Sequence, residues 1–143
     1  MKNFLKRKAW PVIAGLLTAF IVMMVFEFVN SLIFPLPEGL DIRNTEAVQA
    51  FTATLPWTAY ILVLLGWIIG AFKAGVVTTF FSKETKYKLS FVTGVILTIA
   101  GVFNNIIIGH NMVFNILGIP LFILFTYLGH RSLIKFRNRR IEV

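Results

Sequence analysis

Four long apolar runs, separated by short polar stretches, dominate the pattern of hydrophobic and polar positions. They cover residues 10–34, 57–81, 89–109 and 112–134. Each run is long enough to cross a bilayer as a helix, which needs roughly 20 residues. Short connections join helices that run in opposite directions. The pattern therefore predicts an all-α membrane protein with one domain, residues 1–143, built as an antiparallel bundle of four transmembrane helices.

Residues 35–56 form the one sizeable polar segment and are predicted to be an outer loop. Within it, Val48, Phe51 and Leu55 recur at helical spacing after Asn44, a residue type that favours the N-cap position. Two interpretations stay open. The segment is either a short amphipathic helix on the outer membrane surface or an ordinary solvated loop with one helical turn.

Three prolines are placed relative to these helices. Pro11 is expected in the first turn of the first helix, and Pro56 should start the second helix beside the interfacial Trp57, because a first-turn residue has no amide bond to lose. Pro120 lies inside the fourth run, where it should remove a backbone hydrogen bond and bend the helix.

The distribution of charge predicts the orientation. The chain is 57% hydrophobic and carries a net charge of +8, and of its 14 Lys and Arg residues only Arg43 lies in the predicted outer loop. This asymmetry is typical of the positive-inside rule, so both termini are expected in the cytoplasm. The expected partners are the lipid bilayer and, at the basic termini, anionic lipid head groups. Nucleic-acid binding is not expected.

One acid, Glu27, interrupts the first apolar run. An unpaired carboxylate in hydrocarbon costs a few kcal/mol, so it needs a partner, a proton or a water-filled pocket. Glu27 lies about 26 Å along its helix from Trp10, and Asn105 lies about 24 Å along the third helix from Leu89, at ~1.5 Å per residue. The two are therefore expected at one level. A polar pocket in the outer third of the bundle, roofed by the acidic loop, is predicted from five residues: Glu27, Asn30, Asn105, His110 and Asn115. The inner two thirds is expected to be nearly all apolar.

Small residues predict where helices approach closely. Gly66, Gly70 and Ala74 follow each other at four-residue spacing and form a smooth strip on the second helix. Such a strip is typical of helix packing within or between subunits, and it is the favoured contact surface if the protein self-associates or joins a larger complex. Gly94 and Gly101 lie on the face of the third helix that should point into the bundle.

Two functions fit Glu27. It exchanges a proton or a cation in a small transporter or channel-like protein, or it ties helices together in a non-transporting accessory subunit of a larger complex. The chain has no cysteine, no HExxH motif and no phosphate-binding glycine loop. No enzymatic activity, metal site or cofactor is therefore predicted. His130 is interpreted as a residue of the cytoplasmic interface.

Residues 27–30 (EFVN), residues 34–41 (FPLPEGLD) and the pair Leu55 and Pro56 resemble a family of small, uncharacterised bacterial four-span inner-membrane proteins. The resemblance implies the four-span fold and the bacterial inner membrane, and no activity. In size, and in the single acid of the first helix, the chain is also similar to small dimeric drug/proton exporters. Its acid, however, lies toward the outer end of the helix, and its second-half helices do not match theirs.

Overall fold

The computed structural model describes residues 2–82, 87–109 and 112–141. These residues contain helices and turns but no strand. The helices are α1 (Lys2–Ile33), α2 (Thr45–Thr54), α3 (Trp57–Ser82), α4 (Lys88–Ile108) and α5 (Met112–Ile141). All except α2 are long and apolar enough to cross a membrane. The chain is therefore an all-α, multi-pass membrane protein.

The two terminal helices are longer than their apolar runs. α1 begins at Lys2 instead of residue 10, and α5 continues to Ile141 instead of ending at 134. Lys and Arg are good helix formers, and adding a residue to an existing helix needs no new nucleus. Pro11 consequently lies inside α1, so its predicted first-turn position is wrong. The carbonyl that loses its bond belongs to Arg7, an exposed residue at the start of the candidate span.

The segment 35–56 contains a helix of ten residues, which is more than the single helical turn of a solvated loop. The side chain of Asn44 accepts hydrogen bonds from the backbone N–H groups of Glu46 and Ala47 at 3.1 and 3.2 Å, which confirms it as the N-cap of α2. Gln49 Nε2 donates to the Ile106 carbonyl of α4 at 3.1 Å, and the Tyr60 hydroxyl of α3 donates to the Thr52 carbonyl at 2.7 Å. These bonds attach α2 to the ends of two long helices.

One side of α3 packs against α1 through the predicted small-residue strip. A Cβ on Gly66 would meet the Phe26 side chain, and a Cβ on Gly70 would meet Met23. Ala74 is fully buried. The strip therefore serves helix packing within the chain, one of the two uses expected for it. Because α1 covers it, it is not the surface that a second copy or a partner subunit would contact.

Another side of α3 crosses α5 at very short distance. A Cβ on Gly75 would overlap the backbone of Thr126, and a Cβ on Gly129 would overlap the backbone carbonyl of Phe72. Each helix thus presents a glycine to the main chain of the other. We call this the Gly75/Gly129 crossing. It works because neither helix places a side chain between the two backbones.

Aromatic rings fill the centre of the bundle. The ring centroid of Trp67 lies 5.1 Å from that of Phe114 and 4.9 Å from that of Phe122, and all three side chains are buried. Phe122 also packs against Gly101 of α4. We refer to Trp67, Phe114 and Phe122 as the aromatic plug.

We predict that Gly75→Ala destabilises the bundle by about 1–3 kcal/mol, the usual cost of overpacking. The new methyl meets main-chain atoms of Thr126, which cannot turn aside. Chemical unfolding in mixed micelles, followed by circular dichroism, measures the change. Gly70→Ala is the matched control on the same helix, because its methyl meets chiefly the flexible Met23 side chain at 3.1 Å. Equal destabilisation of both variants would contradict the Gly75/Gly129 crossing.

Candidate functional site

Glu27 lies on α1, next to Phe26, which packs against Gly66 of α3. At ~1.5 Å per residue, Gly66 is about 14 Å along α3 from Trp57, so Glu27 lies within the membrane-spanning part of the bundle. The side chain is not enclosed: it keeps an exposed surface and lines two adjoining cavities. Among the described residues no basic side chain forms an ion pair with it.

The first cavity, which we call the lateral cavity, lies between α1 and α4 and has a volume of about 250 Å³. Apart from Glu27 and Asn104, its walls are apolar. Trp67 and Phe122 of the aromatic plug contribute to the lining, together with Phe20, Met23, Met24, Leu97, Ala100 and Gly101.

The second cavity, which we call the outer cavity, lies beneath α2 and has a volume of about 310 Å³. It is more polar, because Asn30, Ser31, Thr52 and Tyr60 line it together with Glu27. The side-chain oxygen of Asn30 is shielded from solvent and has no hydrogen-bond partner. Side chains of α2 cover this cavity. These side chains belong to the loop 35–56 that was expected to roof the site, although its acidic residues Glu38, Asp41 and Glu46 do not line the cavity.

Asn104 takes the place that the sequence had suggested for Asn105. Asn104 lines both cavities with Glu27, whereas Asn105 lines neither. Asn105 lies one turn beyond Gly101, on the face of α4 that packs against α5. It is 6% exposed, and neither side-chain polar atom has a partner. The face of α4 with Gly101 and Asn105 is buried in the bundle, as expected, but it packs against α5. Asn104, about 100° around the helix, lines the cavities at Glu27 instead.

Of the five predicted site residues, the structure therefore brings Glu27 and Asn30 together at the outer cavity and places Asn105 elsewhere. His110, and the side chain of Asn115, lie outside the part of the chain that the structure describes. Among the described residues, no three His, Asp or Glu side chains are grouped so as to hold a metal ion.

A second polar group lies at the other end of the bundle, where α3 ends and α4 begins. We call it the hydroxyl cluster; its members are Thr78, Thr79, Tyr87, Ser90, Thr93, Thr126 and His130. Thr79 Oγ1 donates to the Gly75 carbonyl at 2.7 Å and contacts Ser90 Oγ at 2.8 Å and His130 Nδ1 at 2.9 Å. A hydroxyl carries one proton, so Ser90 and His130 donate to Thr79.

The remaining members extend this network. Thr78 and Thr93 hydroxyls lie 3.0 Å apart. Tyr87 donates to the Ile123 carbonyl at 3.0 Å and contacts Thr126 Oγ1 at 3.1 Å. Burial raises the pKa of the Tyr87 phenol, while its hydrogen bond with Thr126 lowers it in part.

The hydroxyl cluster was not expected from the sequence. The end of the bundle away from Glu27, predicted to be nearly all apolar, contains buried polar side chains. His130, interpreted as a residue of the cytoplasmic interface, is 6% exposed and bonds to Thr79. A signal was present in the sequence. Thr126 and His130 lie four residues apart on one helical face, and Thr79 and Ser90 flank the same connection between helices.

The hydroxyl cluster and the site at Glu27 differ in whether their polar atoms have hydrogen-bond or ionic partners. Most members of the hydroxyl cluster are buried, and their bonds join three helices, which is what a structural network requires. Glu27 has an open cavity on each side and no ionic partner among the described residues. Its carboxylate, with the amides of Asn30 and Asn104 nearby, can take up a proton, a cation or an ammonium group.

No family model, curated protein or solved structure matches this chain.

The cavity geometry predicts different reactivities for two neighbouring positions. Because the chain has no cysteine, Asn104→Cys and Asn105→Cys each introduce a single thiol. We expect a small membrane-permeant maleimide to label position 104 faster, since that side chain lines two cavities while position 105 is buried. The rate of labelling, followed by mass spectrometry, measures the difference. Equal rates would contradict the assigned helical face.

A second prediction concerns the hydroxyl cluster. Thr79→Val keeps the shape of the side chain but removes the atom to which Ser90 and His130 donate. We expect a loss of about 1–3 kcal/mol in the free energy of unfolding, because buried donors lose their acceptor. Thr98→Val is the control, since that hydroxyl bonds to the Gly94 carbonyl of its own helix. Similar unfolding curves for the two variants would show that the cluster contributes little stability.

Proposed function

We propose that the protein is a small proton- or cation-coupled transporter or channel-like protein in which Glu27 is the exchanging group. One observation carries the proposal: Glu27 lies in the wall shared by two cavities and has no ionic partner among the described residues. A carboxylate kept at this depth is costly unless it binds a proton or a cation. Uptake and release of that species is the simplest role for it.

The lining supports exchange at Glu27. Asn104 lies beside the acid in both cavities, and Asn30 presents a shielded oxygen without a partner in the outer one. Amide groups donate as well as accept hydrogen bonds, so they stabilise either protonation state of a carboxylate. The polar outer cavity then gives Glu27 its connection to the external water.

We also propose that the helices form an antiparallel bundle in a bacterial inner membrane, with both termini on its cytoplasmic side. Gly15 lies against Thr78, whereas Phe26 lies against Gly66, and this order of contacts supports opposite directions for α1 and α3. The basic residues concentrate near Trp10 and beyond Ser82, which supports a cytoplasmic location for that end. Self-association or partner subunits would use the lipid-facing surfaces of α1 and α4, because α1 fills the strip on α3.

A second function has its own support. Trp67 and Phe122 of the aromatic plug line the lateral cavity, and Phe122 lies one helical turn before Thr126 of the hydroxyl cluster on α5. An apolar layer of rings at this level favours a non-transporting accessory subunit of a larger membrane complex, in which Glu27 meets a group of a partner. A transporter has to move this layer during its cycle.

The test is proton flux into liposomes that contain the purified protein and an enclosed pH-sensitive dye. We expect Glu27→Gln to reduce flux to the level of protein-free liposomes, because the amide cannot carry a proton or balance a cation. Glu38→Gln is the matched control, since this exposed acid lines neither cavity.

Wild-type flux in Glu27→Gln would remove Glu27 from the mechanism. An absence of flux in the wild type, together with purification in a stoichiometric complex, would favour the accessory function.

A further inference from the structure

The mouth of the lateral cavity lies where lipid would surround the bundle. Phe20 and Met24 of α1 are 61% and 52% exposed, and Ala100 of α4 is exposed as well. All three line the cavity, and all three lie inside candidate membrane spans. A molecule dissolved in the acyl region thus reaches Glu27 between α1 and α4 without crossing the headgroup-side cover formed by α2.

The walls of this cavity favour an organic cation over an inorganic one. A hard metal ion seeks about six or more oxygen ligands, whereas the lateral cavity offers the oxygens of Glu27 and Asn104 among apolar side chains. An amine with an apolar body matches both parts. Its ammonium donates to the carboxylate, and its apolar body lies against Trp67 and Phe122.

The size of the cavity limits the ligand. Its volume of about 250 Å³ is below the roughly 300–1,000 Å³ typical of sites for drug-sized molecules. A single aromatic ring with a short aminoalkyl chain fills such a space, while larger polycyclic cations exceed it.

We propose that the lateral cavity binds small lipophilic amines that enter from the bilayer between α1 and α4 and pair with Glu27. The inference rests on the proposed function insofar as both assign Glu27 as the binding group. It adds the class of ligand and the route of entry. The polar outer cavity on the far side of Glu27 then connects the bound ammonium group with water.

Fluorescence of Trp67 reports directly on the cavity. Trp10→Phe and Trp57→Phe remove the other two tryptophans, which are 56% and 58% exposed. The protein is placed in nanodiscs of zwitterionic lipid, and 2-(4-bromophenyl)ethylamine is the probe, since its bromine quenches a nearby indole. The neutral analogue 2-(4-bromophenyl)ethanol controls for partitioning into lipid.

We expect saturable quenching by the amine. The apparent affinity for the alcohol should be weaker than that for the amine by about tenfold or more, because the alcohol cannot form the charge-assisted bond. Glu27→Gln in the same background should reduce the affinity for the amine to that for the alcohol. Glu38→Gln should leave it unchanged. Equal quenching by amine and alcohol in the parent protein would overturn the proposal without recourse to any variant at Glu27.

A second pair of variants tests the route. Ala100→Phe places a ring at the cavity mouth and should slow quenching by the amine severalfold or abolish it. Val102→Phe is the control on the same helix, at an exposed position that does not line the cavity. Unchanged quenching in Ala100→Phe would overturn entry between α1 and α4.

Failure of this inference is distinguishable from failure of the proposed function. Proton flux that depends on Glu27, without selective quenching by the amine, overturns the amine site alone. Selective quenching without proton flux supports the amine site and removes proton exchange from the proposed function.

Discussion

The arrangement of the bundle depends on the close approach of α3 and α5. At the Gly75/Gly129 crossing the two backbones meet without intervening side chains, so these helices form a tight central pair. α1 packs along another side of α3, and α4 packs along α5. Contact between α1 and α4 is less extensive, and the lateral cavity lies in the space between them. The cavity at Glu27 is therefore a consequence of small residues elsewhere in the bundle.

The same crossing explains why two polar groups with different properties occur in one small protein. Bringing α3 and α5 together places Thr79 and His130 within hydrogen-bond distance of each other. Such a network is stabilising only when its members find partners, and this one joins three helices. Glu27 lies on the side of α1 toward α4, where contact between helices is less extensive, so it adjoins two cavities that Asn30 and Asn104 help to line. Close packing of α3 and α5 accounts for the hydroxyl cluster, and looser packing between α1 and α4 accounts for the lateral cavity at Glu27.

The four spans, the beginning of α3 at Trp57 and the N-cap at Asn44 could be predicted from the sequence, because apolar length, proline and capping chemistry act locally. It could not be predicted from the sequence that Asn104, and not Asn105, lines the cavities at Glu27. It depends on how α4 rotates against α5, which follows from the fit of Gly94 and Gly101 to Phe122 and Thr126. The partner of the Gly66 strip was unpredictable for the same reason: a smooth surface does not specify which helix covers it.

α5 is one uninterrupted helix of 30 residues, although Pro120 lies within it. At ~1.5 Å per residue it measures about 45 Å, well beyond the ~30 Å thickness of the hydrocarbon layer. Its far end carries Arg139 and Arg140, and the Arg137 guanidinium donates to the Phe80 carbonyl of α3 at 3.1 Å. The charged end of α5 is thus held to the end of α3, so a change in tilt between the two helices has to break this hydrogen bond or carry both ends together.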